Sequence, residues 1–317
     1  MSDQKSSVER LPSYGGQALI EGVLMRGAHA VAVAMRAPDG NIVVQTEPLS
    51  GIYTSRWIKI PFLRGLVALW DALGLGMRFL TVSANLQSNE DEKIEGKTLF
   101  LTLASSILFA LVLFFGLPAL LGHFSEQLLG LSAWGSNLVE GLIRLSIVVG
   151  YIWLIGRMPE IQRVFAYHGA EHKTINTYEA RLDLTVENIM GQSLEHPRCG
   201  TAFLLTLVLL SVLIFTLVGP LPGLVRVASR IVFVPFIAMI AYEYIRWTAR
   251  HLESPLVKLL IKPNLALQRL TTREPDAGIV EVALTAFQAM VEKEKEYSPA
   301  ANQPVSGEAQ PAPSPSD

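Results

Sequence analysis

The chain has 317 residues, enough for one large or two modest domains. Half of these residues are hydrophobic and only 17% are charged, with a positive mean hydropathy, which points to a membrane protein. A net charge of −2 excludes the basic footprint of a nucleic-acid-binding protein, and one cysteine excludes an internal disulfide, leaving a thiol suited to metal ligation in the cytoplasm.

Residues 1–13 are polar and expected to be disordered; Met1 to Gln17 hold neither the apolar core nor the cleavage site of a signal peptide. In Gly15-Gly-Gln-Ala-Leu-Ile-Glu-Gly-Val-Leu-Met-Arg-Gly27, glycines bracket an apolar run, which predicts a strand approached closely by another backbone. Glu21, an acid in that run, reads either as a solvent-facing strand residue or as a partner or ligand of a metal site. Ala30 to Arg36 and Ile42 to Glu47 flank the turn sequence Pro38-Asp-Gly-Asn41 and predict a hairpin. Trp57 to Ala84 predicts a helix with Leu66, Leu69, Leu73 and Met77 on one side. Arg64, Asp71 and Arg78 interrupt it, so it reads as an interfacial helix or a core helix rather than a span. Residues 88–97 form a charged linker.

Four apolar stretches follow, Leu99 to Leu121, Leu138 to Ile155, Thr201 to Val218 and Leu224 to Tyr244, each read as a membrane span. Loop 122–137 has no Lys or Arg. Loop 157–200 and the segment after Tyr244 are rich in them, which predicts cytoplasmic placement of both termini and of the central loop. Arg226 and Arg230 break that charge pattern and are expected to pair with Glu140 across the bundle; Glu140 and Arg144 are also spaced to pair with each other. Pro263 to Pro275 is a polar–apolar mix ending at a proline stop. Asp276 is placed to cap an amphipathic helix with Ile279, Ala283, Phe287, Met290 and Val291 as its apolar stripe. Residues 298–317 form a proline-rich tail, expected to be disordered.

The predicted architecture is mainly α. It comprises a four-span membrane helix bundle (98–262), a small N-terminal cytoplasmic α+β element (14–97) and a C-terminal cytoplasmic segment (263–297) carrying the amphipathic helix.

The chemistry concentrates in loop 157–200. In Tyr167-His-Gly-Ala-Glu-His-Lys173, His168 and His172 share a helix face and can grip one metal ion. Glu171 stands beside them in the H-x-x-E-H order of inverzincins. His196 and Cys199, in Glu195-His-Pro-Arg-Cys-Gly200, offer an imidazole and a thiolate to complete the coordination of a divalent metal, zinc by ligand type. Glu21, Glu195 and Glu243 are additional candidates; Glu243 matches, in chain order alone, the distant third ligand of pitrilysin-type inverzincins.

These residues, with Ile60-Pro-Phe-Leu-Arg-Gly65, Tyr242-Glu243 and Leu270-Thr-Thr-Arg-Glu-Pro275, carry a resemblance to the bacterial YqhQ-type family, over about residues 14–295. Its members are uncharacterised multi-pass proteins described as predicted metal-dependent enzymes. The resemblance implies membership of a bacterial membrane family and gives no substrate or reaction.

Two functions fit these residues. One is a metal-dependent hydrolase at the cytoplasmic face of the inner membrane, with Glu171 as general base, acting on a lipid-linked or membrane-protein substrate. The other is a non-catalytic scaffold, whose structural metal closes the loop and whose hairpin and C-terminal helix recruit a partner. Four spans without broken, repeated helices leave little material for a transporter.

Overall fold

The computed structural model describes residues 11–49, 57, 60–88, 96–219, 221 and 223–297. The tail 298–317, residues 1–10 and most of the charged linker lie outside the described residues.

The glycine-bracketed run is two strands rather than one. β1 (Gly15–Leu19) and β2 (Gly22–Arg26) pair antiparallel around the tight turn Ile20–Glu21, where Glu21 takes a positive φ of 53°. Glu21 therefore belongs to a turn, and no strand alternation sets its direction. β3 (Ala30–Arg36) and β4 (Ile42–Pro48) form the expected hairpin, completing a meander of order β1-β2-β3-β4.

Both faces of the sheet are covered, so β3 is an unbroken apolar run rather than an alternating one. Leu19, Leu24, Val31, Val33 and Met35 pack against Leu75 and Phe79 of α1 (Leu63–Gln87). On the other face, Val23, Met25, Ala32 and Ala34 meet α5 (Pro159–Glu179) and α10 (Ala277–Lys295). The small Ala32 and Ala34 let α10 approach closely. Asp276 caps α10 by accepting from Ile279 N, and the expected stripe is buried against the sheet, with Val291 at its edge.

α1 is a core helix over its second half, but its buried face is Asp71, Leu75, Gly76, Phe79 and Ser83. Leu73 and Met77, from the face expected to be apolar and sheltered, are exposed. The reason is electrostatic: Asp71 pairs with Arg26 of β2 and is buried there, while Arg78 reaches Glu47 of β4 at the exposed margin.

Among the described residues, five helices are long and apolar enough to cross a membrane. They are α1, the composite Gly96–Leu129, the helices containing Trp134–Ile155 and Ala228–Arg250, and Gly200–Val218. The composite consists of α2 (Gly96–Leu111) and α3 (Leu117–Leu129), joined by a π turn at Val112–Gly116. The others are α4 (Ala133–Ile155), α7 (Gly200–Val218) and α8 (Gly223–Arg250), with the one-turn α6 (Val186–Met190) between α5 and α7.

The expected pairing of bundle charges forms in full. Glu140 accepts from Arg144, Arg226 and Arg230; Arg230 also donates to Asn137, and Arg226 to Ser136 and Glu126.

Beyond α8, residues read as a polar–apolar mix form a regular helix, α9 (Pro255–Thr271), which continues through Pro263. It thus runs across the 262/263 division drawn from the sequence. Its Leu267 packs with Val148, Ile152, Leu205 and Val208 of α4 and α7. That packing holds the segment Thr271–Arg273 beside α5.

Candidate metal centre

Helix α5 carries His168 and His172 one turn apart, and the chain returns from its far end through loop 190–199. The return is specified by α5 itself, through donors aimed at the backbone carbonyls of that loop. Lys173 Nζ, buried, donates to Met190 O and Gln192 O, both at 2.8 Å. Asn176 Nδ2 donates to Ser193 O and Glu195 O. Gln268 of α9 then clamps both backbone groups of His196, accepting from its N and donating to its O, each at 2.9 Å. Cys199 follows at the N-cap of α7, where its sulfur accepts from Thr201 N.

The result is a cluster of His168, His172 and Cys199, whose ligand atoms all lie within 4.8 Å of one another. His168 Nε2 stands 3.1 Å from Cys199 Sγ. A tetrahedral zinc with bonds of about 2.0–2.3 Å needs ligand atoms about 3.3–3.8 Å apart, so side-chain adjustments of about 1 Å close the set.

The outer contacts of the two histidines fix their tautomers. His168 Nδ1 faces the carbonyl of Thr271 at 2.8 Å, and His172 Nδ1 faces the carbonyl of Leu194 at 2.5 Å. A carbonyl only accepts, so each Nδ1 carries the proton and each neutral ring keeps its lone pair on Nε2. His172 Nε2 is buried without a hydrogen-bond partner. An imidazole held through Nδ1–H by a backbone carbonyl, with Nε2 left over, is the arrangement of a metal ligand.

His196 lies behind this trio, its ring centroid 5.7 Å from that of His172. Its Nε2 has no hydrogen bond and lies 3.6 Å from Glu179, an ion-pair distance. Burial holds the His196 imidazole below its ordinary range, with Glu179 opposing. His196 thus neighbours the cluster without joining its ligand atoms.

Glu171 is fully enclosed between α5 and β1. A Cβ on Gly16 would fall 2.8 Å from Glu171 Cγ and 2.6 Å from Leu24 O, so only glycine allows this contact. Burial pushes the Glu171 carboxyl up to about 7, against the pull of His168 and a backbone hydrogen bond from Gly16.

The three further acids are engaged elsewhere. Glu21 takes Arg163 and accepts from Tyr167 OH, gripping α5 one turn before His168. Glu195 pairs with Arg269 at 2.7 Å. Glu243 accepts from Arg64 and from Phe62 N, tying α8 to the start of α1.

Lys173, Asn176, Leu194, Gln268 and Thr271 escape a reading of the sequence for ligands because they act through backbone groups. Their signal was present in Leu270-Thr-Thr-Arg-Glu-Pro275: Thr271 holds His168, and Glu274 pairs with Lys173 at 3.0 Å. Gly169 makes the approach possible, since a Cβ there would lie 2.2 Å from Arg273 O.

A cavity of about 600 Å³ lies between α1, α7 and α8, with Arg198, Cys199 and Gly200 on its wall. Cys199 is thus the member of the cluster that lines this cavity.

Among known proteins, the chain is 37% identical over 298 residues to the protein described as "Uncharacterized protein YqhQ" of Bacillus subtilis (strain 168), covering 89% of this chain and 93% of that one. No solved structure matches. The family model described as "Protein of unknown function (DUF1385)" matches residues 60–293, which include the whole cluster and the elements that hold it. The chain therefore belongs to this family, the YqhQ-type proteins.

Proposed function

We propose that the protein is a metal-dependent hydrolase of the bacterial cytoplasmic membrane, with its site at the cytoplasmic surface. One observation carries this reading: three ligand atoms converge, both histidines are held through Nδ1, and the third ligand borders a cavity. Three protein ligands leave a coordination position for water, whereas a structural zinc takes four. Zinc is the divalent metal that fits two imidazoles and a thiolate. When bound it supplies Lewis acidity and lowers the pKa of its water.

The remaining roles fall to this chain's own groups. Thr271 and Leu194 carbonyls hold the two imidazoles in the ligating tautomer. Glu171, enclosed beside them with its carboxyl near 7, serves as the base that takes a proton from the attacking water and returns it to the leaving group. Cys199 would offer its sulfur to the metal from the N-cap of α7.

Four spans with both termini cytoplasmic accord with the positive-inside pattern, with α1 lying at the interface. Supporting this, one face of the second half of α1 is packed under the sheet through Leu75 and Phe79. The scaffold alternative loses one support, because the apolar stripe of α10 is already covered by the sheet.

Glu171→Gln preserves side-chain shape and deletes the base. The variant is expected to retain metal and to fail to complement a deletion strain. Complementation at the parent level would contradict hydrolysis and return the metal to a structural role.

A further inference from the structure

The cavity beside Cys199 has a composition that the hydrolase reading does not use. Its walls are apolar, with Ala68, Leu69 and Ala72 from α1 and Ile245 and Ala249 from α8. Its polar rim is cationic: Arg198, Arg246 and Arg250 line it, and no carboxylate does. Arg198 is already held by Glu179. Arg246 and Arg250 stand one turn apart on α8, and among the described residues neither has an ion-pair partner. The nearest acid on that helix, Glu243, is turned to Arg64.

Arg246, partly buried, and Arg250, exposed, put two guanidiniums at the mouth of an apolar slot, placed to take an anion. Their forked donors match the tetrahedral oxygens of phosphate better than any other common membrane group. The slot runs between two helices that each qualify as apolar enough for the membrane. An occupant therefore needs an anionic head and a hydrocarbon tail. A cavity of about 600 Å³ takes a headgroup and the first segments of its chains, within the size range of small-molecule sites.

We infer that this cavity binds a membrane lipid bearing a phosphate headgroup, with the phosphate on Arg246 and Arg250 and the acyl chains between α1 and α8. Resting on the hydrolase reading, this inference names the substrate class, since the headgroup would lie against the Cys199 side of the metal centre. The binding itself needs no metal, and that separates the two tests.

The experiment uses the full chain in neutral detergent micelles with fluorescent phosphatidylglycerol as the probe. Unlabelled phosphatidylglycerol, diacylglycerol and inorganic phosphate serve as competitors. Unlabelled phosphatidylglycerol is expected to compete, and the other two to compete at least about tenfold more weakly. Replacing both cations in R246Q/R250Q is expected to weaken probe binding by at least about tenfold, the loss of two charge-assisted contacts. Zinc content should be unchanged in that variant. Ala249→Phe, which fills the apolar wall and leaves the charges intact, is expected to weaken it too, and R246K/R250K to restore part of the binding.

Equal binding by R246Q/R250Q and the parent would overturn the inference. So would equal competition by diacylglycerol, which needs no cation, or by inorganic phosphate, which needs no slot. His168→Ala should lose zinc yet bind the probe as the parent does. A parent that purifies without zinc and takes up none when zinc is added, yet binds lipid through the arginines, would contradict the hydrolase reading and leave the lipid site standing.

Discussion

Two buried polar clusters lie at opposite ends of the helical layer, and they differ in what is left over. Around Glu140, three guanidiniums share one buried carboxylate and the neighbouring Glu126, Asn137, Ser136 and Phe114 carbonyl. No polar side-chain atom of Glu140, Arg144, Arg226 or Arg230 is buried without a partner. Around α5, by contrast, the Nε2 atoms of His172 and His196 are buried and unbonded. A completed network of charges holds helices together; a network with lone pairs to spare is built to receive something. Burying a polar atom without a partner costs about 1–3 kcal/mol, a cost that a ligand on His172 would offset, whereas His196 has Glu179 at ion-pair distance.

Breaking the first cluster should have the largest effect on folding. Glu140→Ala strands three arginines in the bundle, and breaking a buried ion pair costs about 3–5 kcal/mol. The yield of monodisperse protein in mild detergent should collapse, while zinc per mole of folded protein stays at the parent value. A normal thermal midpoint for this variant would contradict a structural role for the network.

The second cluster should instead respond to pH. Glu171 has a folded-state pKa of about 7 against an ordinary 4.5. Between those values the native metal-free protein holds a proton that the unfolded chain has released. Its stability must therefore fall as pH rises through that window and stay lower above it, by at most roughly 3 kcal/mol. Glu171→Gln should flatten this slope in metal-free protein, measured as thermal midpoint against pH. A parent whose stability rises from pH 5 to 8 with an unchanged slope in the variant would refute the buried, neutral carboxyl.

A smaller effect sharpens the comparison by testing the frame rather than the ligands. Lys173→Met removes the donor to Met190 O and Gln192 O. Loss of an outer-shell support should weaken zinc about tenfold, at the low end for such changes, with the fold retained. Parent affinity in Lys173→Met would mean that the loop finds Cys199's position without α5.

What was legible in the sequence follows the same division. The His168/His172 pair follows from helical spacing alone, and the Glu140 network from charges in apolar runs. Cys199 joined the cluster because it is the only thiol, but its delivery depends on carbonyls captured by Lys173, Asn176 and Gln268, which no side-chain pattern announces. The turn at Glu21 was hidden because β2 is covered on both faces, so no alternation marks where the chain reverses. α9 was missed because the stretch from Pro263 to Pro275 reads as a polar–apolar mix between two prolines, although the helix continues through Pro263. The sheltered face of α1 was misjudged because Asp71 is buried against the sheet, paired with Arg26.

The central claim is that His168, His172 and Cys199, and not His196, hold one metal ion. Zinc should be counted per chain in purified parent, His168→Ala, His172→Ala, Cys199→Ser and His196→Ala, with thiolate charge transfer read in the cobalt-substituted parent and Cys199→Ser. The account predicts one zinc in the parent and in His196→Ala, little or none in the other three, and a charge-transfer band that vanishes with the thiol. Zinc lost as completely from His196→Ala as from His168→Ala would show four protein ligands and contradict an open site; zinc absent from the parent would contradict the centre itself.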